Sequence, residues 1–549
     1  MQIRESLALR AGRLISWRPG PLASSCPQDT GSWYFRESLW FSLLSIIYLI
    51  PIFVFEYLPT QDGPHHLANA LIIRNYGEAG TRYHEFFELK WEPIPNWMTH
   101  LSLAWLMGPF PPLLAEKLLA STYLLGFAWS FRYYLGAFGK DALKLAPTVF
   151  LFSYNRCFLM GFYNYCLSLV PFWLVLGYCI RKNREFALRD SLVLSFFLLV
   201  AYFTHLLGYA LACVSVPWIT LTTPPRRLSK FFCVACALLP MSSFALWSLA
   251  RPKLLGLREA APSWGTAANL WPSGFIENVI SSVTSMNQSF FESYETRYFF
   301  LSLTVLLFYE LMVITNVLDA RHSDSWLPEQ RRIAVLGFMV FGLYLILPDF
   351  LSLAVGFLKA RFALIAPLVW LAILRMPRRI SARYALLTVL YLALLLNIGH
   401  ILNHFRFCNA EIAEYLRGMD RVGNNRTLFV ASPLIRHSQQ TPLVNHLEHA
   451  ADYYCLATHN VNLDNFQAST RHFPVRYRTG VFRAFGGFAN YPQKSSIDIL
   501  LSWRIAQNPD SLGRDLSLIF RSDSMEIYER QSRLSPPASP LSKSSSSTD

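Results

Sequence analysis

The chain has 549 residues, of which 53% are hydrophobic and only 15% carry a charge. A soluble globular protein carries about 25% charged residues, so this composition argues against a soluble protein, and the apolar excess argues against a disordered, collagen-like or coiled-coil chain. Lysine and arginine number 49 against 35 aspartate and glutamate, which gives a net charge of +14. Because this excess lies in short loops between apolar blocks, it is typical of cytoplasmic loops, and nucleic acid is not an expected partner.

Apolar blocks long enough to cross a bilayer recur along the chain, for example at 39–57 and 384–402. A helix of about 20 apolar residues crosses a hydrocarbon core about 30 Å thick. We therefore predict an all-α polytopic membrane protein with about eleven transmembrane helices. In chain order these are 38–58, 114–135, 142–159, 161–180, 190–206, 207–222, 229–250, 299–318, 331–348, 353–375 and 383–402.

Basic stretches in the short loops set the predicted orientation, because lysine and arginine resist translocation. These stretches are 181–184, 225–230, 331–332 and 375–383. Placing all of them inside puts the N-terminus in the cytoplasm and the C-terminus outside. No apolar core precedes Leu39, so the first span is itself the predicted targeting signal. The lipid bilayer is thus an expected partner, and the expected location is the inner (plasma) membrane.

Two apolar stretches do not fit one straight span each. The run 97–110 has only about 14 residues and is broken by Gly108 and Pro109, so we predict a helix lying in the outer interface. The block 191–221 is too long for one untilted helix, and we predict a break near His205.

After the last span the composition becomes that of a soluble domain. We predict a helix over Glu411–Met419, strands over Thr427–Ala431 and Ile497–Trp503, and a hairpin over Leu516–Glu529, which together form a small extracytoplasmic α/β domain. The predicted organisation is a cytoplasmic segment 1–37, a transmembrane domain 38–402 with outer loops 59–97 and 251–298, an α/β domain 403–531, and a disordered Ser/Pro-rich tail 532–549.

The nine cysteines are scattered along the chain. Cys233 and Cys236 have the spacing of a metal-binding pair, but they lie in an apolar run, so we interpret them as buried structural residues. Cys408 and Cys455 fall in the polar C-terminal part, where a disulfide would form if that part is extracytoplasmic.

The densest group of reactive side chains follows the first span. Asp62, His65 and His66 come within a few residues of its end. An aspartate near a low-dielectric boundary acts as a base, and histidine titrates near neutral pH, so this group is a candidate catalytic site. The alternative is a turn at Asp62 with a histidine at a helix start. A metal is less favoured, because two adjacent histidines on a helix cannot both face one ion.

The order of several short motifs resembles the GT-C superfamily of integral-membrane glycosyltransferases, in particular its protein O-mannosyltransferase and aminoarabinose transferase-like members. The resemblance covers roughly residues 38–402. Its motifs are the aspartate after the first helix, Pro95-Asn96-Trp97, Ala115-Glu116-Lys117-Leu118, Met160–Tyr165, Tyr202–His205 and Lys359–Phe362.

The resemblance implies a sugar donor linked to polyprenyl phosphate and an acceptor (lipid, glycan or protein) on the extracytoplasmic side. It implies an inverting displacement in which Asp62 takes the proton of the acceptor hydroxyl or orients that hydroxyl. Family members commonly carry a second acid beside this aspartate, whereas this chain has Gly63 and Pro64. No cofactor is therefore assigned, and a divalent cation stays an open alternative.

The negative charge of the departing phosphate needs a cation to stabilise it. Arg361 is the first candidate, because its planar guanidinium donates two parallel hydrogen bonds to a phosphate, and Lys359 is the second. The competing interpretation is that the Arg361 side chain extends to the lipid headgroups at the membrane surface. His205, Tyr163 and Asn164 are further candidate substrate-binding residues, although an interhelical hydrogen bond is the commoner fate of such a histidine.

A second acid has several candidates, namely Glu292, Glu295 and Asp349, with Arg297 beside the first two. Two other functions remain open. A transporter or flippase of lipid-linked sugars would be expected to show repeats and charges at mid-membrane, and neither is evident here. A non-catalytic scaffold would tolerate the loss of Asp62.

Overall fold

The structure is a computed structural model. It describes residues 30–224, 228–254, 308–314, 328–347, 349, 356–377, 379–431, 444–470, 472–484, 488–504 and 515–531. The predicted outer loop 251–298, the acids at 292 and 295 and the predicted tail 532–549 lie outside this part, apart from 251–254. The predicted span 299–318 also lies outside it, apart from 308–314.

The described chain is mostly helical. Its helices are α1 Thr30–Val54, α2 Gly63–Asn75, α3 Tyr83–Phe86, α4 Met98–Leu106, α5 Pro112–Leu135, α6 Lys140–Leu143, α7 Arg156–Leu159, α8 Tyr163–Lys182, α9 Leu188–Thr204, α10 Leu206–Leu221, α11 Leu228–Leu254, α12 Pro328–Ile346, α13 Leu358–Trp370 and α14 Ile380–Tyr415. Helix α8 is central, because it packs against α5, α9 and α10. Trp173 at its middle is fully buried.

Four described helices are long and apolar enough to cross a membrane: Ser32–Val54, Tyr163–Lys182, Leu228–Trp247 and the helix that begins at Ile380. Three of them, α1, α11 and α14, also expose large apolar side chains as a lipid-facing helix does, for example Trp40, which is 63% exposed, and Leu395, which is 67% exposed. The protein is therefore a helical membrane protein.

Four such helices fall short of the predicted eleven, for reasons visible in particular segments. The predicted span 142–159 is not one helix, since a 3-10 segment at Ala146–Phe152 separates α6 from α7 and contains Pro147. Helices α10 and α13 have 16 and 13 residues, fewer than the roughly 20 needed for a straight crossing. The apolar composition of these segments predicted that each is a span, but composition does not show where a helix ends.

Two predicted helix breaks are confirmed. Helix α4 is short and ends before Gly108. The long apolar block divides into α9 and α10 at His205, where the backbone is extended. There the His205 Nδ1 accepts a hydrogen bond from the Leu207 N–H at 3.0 Å, which caps α10.

A small sheet follows α14. Its strands are β2 Thr427–Ala431, β3 Val461–Asn462, β5 Ile499–Trp503, β6 Leu516–Arg521 and β7 Met525–Arg530, in the order β3-β2-β5-β7-β6. The β3–β2 and β2–β5 pairs are parallel, and the remaining pairs are antiparallel. The predicted strands and hairpin are confirmed. The predicted helix at 411–419 is the end of α14, which runs on from the apolar part without a break.

The C-terminal region packs on the first loop. Strand β1 Phe87–Leu89 of that loop pairs antiparallel with β4 Val475–Tyr477, with Phe87 opposite Tyr477. Both strands contribute to one buried apolar cluster, which also contains Phe429 of the sheet. This packing carries C-terminal side chains to the end of α1, where the candidate residues lie.

Cys408 and Cys455 are both free and buried. The disulfide considered between them is therefore not formed. Cys408 lies in α14, with its Sγ 3.7 Å from His404 Nε2 on the preceding turn, and Cys455 ends a 3-10 segment at Ala450–Cys455.

Candidate active site

Asp62 is buried at the start of α2, with 6% of its surface exposed. The Gln61 and Asp62 N–H groups donate to the carbonyls of Leu159 and Met160, at 2.9 and 3.2 Å. Gly161 makes this approach possible, because its φ is +77° and a Cβ there would lie 2.8 Å from the Asp62 nitrogen. The loop after α1 is thus fastened to the segment between α7 and α8.

The Asp62 carboxylate is paired with a residue that the sequence did not single out. His449 Nε2 lies 3.4 Å from Asp62 Oδ1, and both side chains are buried. Burial alone would lower the pKa of His449, but the hydrogen bond to Asp62 and the neighbouring carboxylates outweigh it and raise that pKa to about 8. At neutral pH the two groups therefore form an ion pair.

A second buried pair lies against the first. His65 Nδ1 is hydrogen-bonded to Asp452 Oδ2, and both side chains are almost completely inaccessible. Asp452 Oδ1 accepts from Asn462 Nδ2 at 2.8 Å. The rings of His65 and His449 are stacked, with centroids 3.9 Å apart and planes 16° apart. We call these four residues, Asp62, His449, His65 and Asp452, the double pair.

His66 lies beside the double pair and faces α4. Its Nδ1 is 3.1 Å from His100 Nε2, and its Nε2 is 3.0 Å from the Gly161 carbonyl. Gln467 Oε1 lies 3.0 Å from His100 Nε2. Burial lowers the pKa of His66 well below its ordinary value and that of His100 to about 4, so both rings are neutral at pH 7.

Tyr163 and Asn164, at the start of α8, complete the polar group. The Tyr163 hydroxyl donates to Glu116 Oε1 at 2.7 Å and is hydrogen-bonded to Thr60 Oγ1, also at 2.7 Å. Glu116 is 1% exposed, and its Oε2 has no hydrogen-bond partner among the described residues. Asn164 Oδ1 accepts from the Thr99 N–H at 3.1 Å, which holds the start of α4. Tyr163 therefore contacts the candidate site, and Asn164 positions α4.

Arg361 lies on the other side of the same segment. Its guanidinium carbon is 4.9 Å from the ring centroid of Phe162 and 5.5 Å from that of Tyr165. No ion pair to Arg361 is present within the described part of the chain, and its buried Nε has no hydrogen-bond partner there. The His205 ring packs edge-on against Tyr165 at 5.6 Å.

Lys359 is placed differently from Arg361. It lies in the first turn of α13, and its backbone N–H donates to Asp349 Oδ1 at 3.0 Å. Asp349, the predicted alternative acid, therefore caps α13, and no described contact joins it to Asp62.

The segment 159–165 contacts both the residues around Asp62 and Arg361. Asp62 and His66 contact its Met160–Gly161 part, and Arg361 packs on Phe162 and Tyr165.

Within the described residues, no three His, Cys, Asp or Glu side chains are arranged to hold a metal ion. The chain matches no known family model, no curated protein and no solved structure.

Sequence reasoning missed four residues of the site, namely His449, Asp452, His100 and Glu116. The one available signal was local: two histidines and two acids at 446–452, in a chain with only 13 histidines. Glu116 lies in a motif that supported the resemblance, but nothing in the sequence placed it next to Gly63.

Proposed function

We propose that the chain is a membrane glycosyltransferase of the GT-C kind, which moves a sugar from a polyprenyl-phosphate donor to an extracytoplasmic acceptor. One observation carries the proposal. A buried carboxylate, Asp62, and a cation without an ion-pair partner among the described residues, Arg361, flank the same short segment at one end of the helices. A displacement at a sugar–phosphate bond needs these two kinds of group.

The roles follow from the contacts. The acceptor oxygen attacks the anomeric carbon while the bond from that carbon to the phosphate oxygen breaks, and the electron pair leaves with the lipid phosphate. Asp62 lies on the acceptor side, and Arg361 offers its planar donor fork to the phosphate. His205, next to Tyr165, borders the phosphate side. Lys359 lies two residues before Arg361 in α13, and residues at this spacing point to different faces of a helix, so Lys359 is the weaker phosphate candidate.

The proposed topology places the N-terminus in the cytoplasm and the C-terminal sheet on the extracytoplasmic side of the inner (plasma) membrane. The site then faces outward, where the outer leaflet presents a lipid-linked donor. Binding of an anion at Arg361 would favour the enzyme over a scaffold, because a partly buried guanidinium without a counter-ion is costly unless a ligand satisfies it.

The test uses the full-length protein in vesicles with a radiolabelled polyprenyl-phosphate sugar and a mixed extract of envelope acceptors. We expect transfer by the wild type, and a loss of at least about 100-fold in Asp62→Asn and Arg361→Ala. Arg417→Ala and Asp523→Asn are matched controls at exposed positions, and both should transfer like the wild type.

Equal transfer by the wild type, Asp62→Asn and Arg361→Ala would contradict the assignment of these residues. If the intact lipid crosses the bilayer with no new sugar linkage, the chain is a transporter. If neither transfer nor lipid movement occurs with any donor class, the scaffold is favoured.

A further inference from the structure

The buried pair of His65 and Asp452 has the arrangement of a general-base dyad. Asp452 accepts from His65 through Oδ2 and from Asn462 through Oδ1, so its carboxylate is fixed in position. Because a carboxylate only accepts hydrogen bonds, the neutral His65 ring carries its proton on Nδ1. The lone pair is then on Nε2.

The His65 Nε2 atom is buried and has no hydrogen-bond partner among the described residues. An unpaired buried acceptor is destabilising, and a catalytic role is one of the explanations for its presence in a folded protein. His100 also leaves one nitrogen unpaired, but Gln467 and His66, not a carboxylate, hold its other nitrogen. His446 also faces a carboxylate, that of Glu411, and leaves its Nδ1 unpaired, but Glu411 is shared with Arg504 and neither residue belongs to the double pair. Within the double pair, His65 combines a carboxylate-held Nδ1 with an unpaired Nε2.

The surroundings of His65 are fully accounted for among the described elements. Asp62 and His66 lie at the start of its own helix α2, and His100 lies on α4. Asp452 lies in the 3-10 segment Ala450–Cys455, and the stacked His449 directly precedes that segment. The Asp62 carboxylate is already engaged by His449, whose raised pKa keeps the ion pair closed at neutral pH. An ion-paired carboxylate is a poorer proton acceptor than a free imidazole nitrogen.

We infer that His65 takes the proton of the acceptor hydroxyl, with Asp452 as the residue that positions it and Asp62 as the residue that orients the acceptor. This inference rests on the proposed function and names the base of that same site. The acceptor O–H bond breaks and its proton moves to His65 Nε2. The acceptor oxygen forms the new bond to the anomeric carbon, the lipid phosphate leaves with its electron pair, and His65 then releases the proton to water.

Two measurements test the inference. In transfer assays, Asp452→Asn should lower kcat by about 100-fold or more at an unchanged KM for donor, and added imidazole should restore part of the activity of His65→Ala. In ¹⁵N-histidine NMR spectra of the wild type in vesicles, the signal that disappears in His65→Ala should show the Nδ1–H tautomer. In Asp452→Asn that tautomer preference should be lost.

The controls are His84→Ala and Asp523→Asn, which make the same chemical changes at exposed positions. A wild-type spectrum with the proton of the assigned His65 signal on Nε2 overturns the inference, and this measurement uses a variant only for the assignment. Folded variants with unreduced kcat, or a kcat that imidazole does not restore, also overturn it. If the wild type transfers no sugar, the proposed function fails, whereas the tautomer still decides whether the dyad exists.

Discussion

The ion pair between Asp62 and His449 makes the stability of the protein dependent on pH. The pKa of His449 is about 8 in the folded protein, against an ordinary value of 6.5. This difference corresponds to about 2 kcal/mol in favour of the protonated folded form. Because the folded pKa is the higher one, this contribution is fully present below pH 6.5 and is lost as the pH rises through about 8.

The assay is the free energy of unfolding of the detergent-solubilised protein, measured between pH 6 and pH 9 by denaturant titration. We expect the wild type to lose about 2 kcal/mol more over this range than His449→Gln, which has no titrating ring at that position. Asp62→Asn should resemble His449→Gln, because the partner charge is absent. His84→Gln, an exposed histidine, should keep the wild-type dependence. An equally steep loss in His449→Gln would refute the assigned ion pair.

Two further outcomes follow from the geometry around the site and from the cysteines. Gly161→Ala should destabilise the protein by about 1–3 kcal/mol and lower transfer activity, because its positive φ and the closeness of Asp62 both oppose a side chain. Gly399 has open space around it, so Gly399→Ala should have an unfolding temperature equal to or higher than that of the wild type. Equal unfolding temperatures of the two variants would contradict the role assigned to Gly161. A reducing agent should change neither gel mobility nor unfolding temperature, since Cys408 and Cys455 are free, and a mobility shift would contradict this.

The sequence predicted well what depends on local pattern. The break at His205 followed from the length of an apolar block, and the strand at Thr427–Ala431 followed from a short β-branched and aromatic run between polar residues. The group at Asp62, His65 and His66 was visible because its members are adjacent along the chain.

The partners of that group could not be predicted in the same way. Asp452 lies 387 residues from His65, and their contact depends on the packing of the C-terminal region on the first loop. Hydropathy likewise does not distinguish one span from two short helices joined by a 3-10 segment, which is why the span predicted at 142–159 failed. Both failures concern tertiary arrangement, which a single sequence specifies only through contacts between distant residues.

The length of helix α14 affects where the chain can be truncated. Its 36 residues extend about 54 Å at 1.5 Å per residue, whereas the hydrocarbon core is about 30 Å thick. One continuous helix therefore links the apolar part of the chain to the sheet. A truncation at residue 403 would cut this helix about two thirds along its length and would also remove His449 and Asp452, so the apolar part expressed alone would lack part of the candidate site.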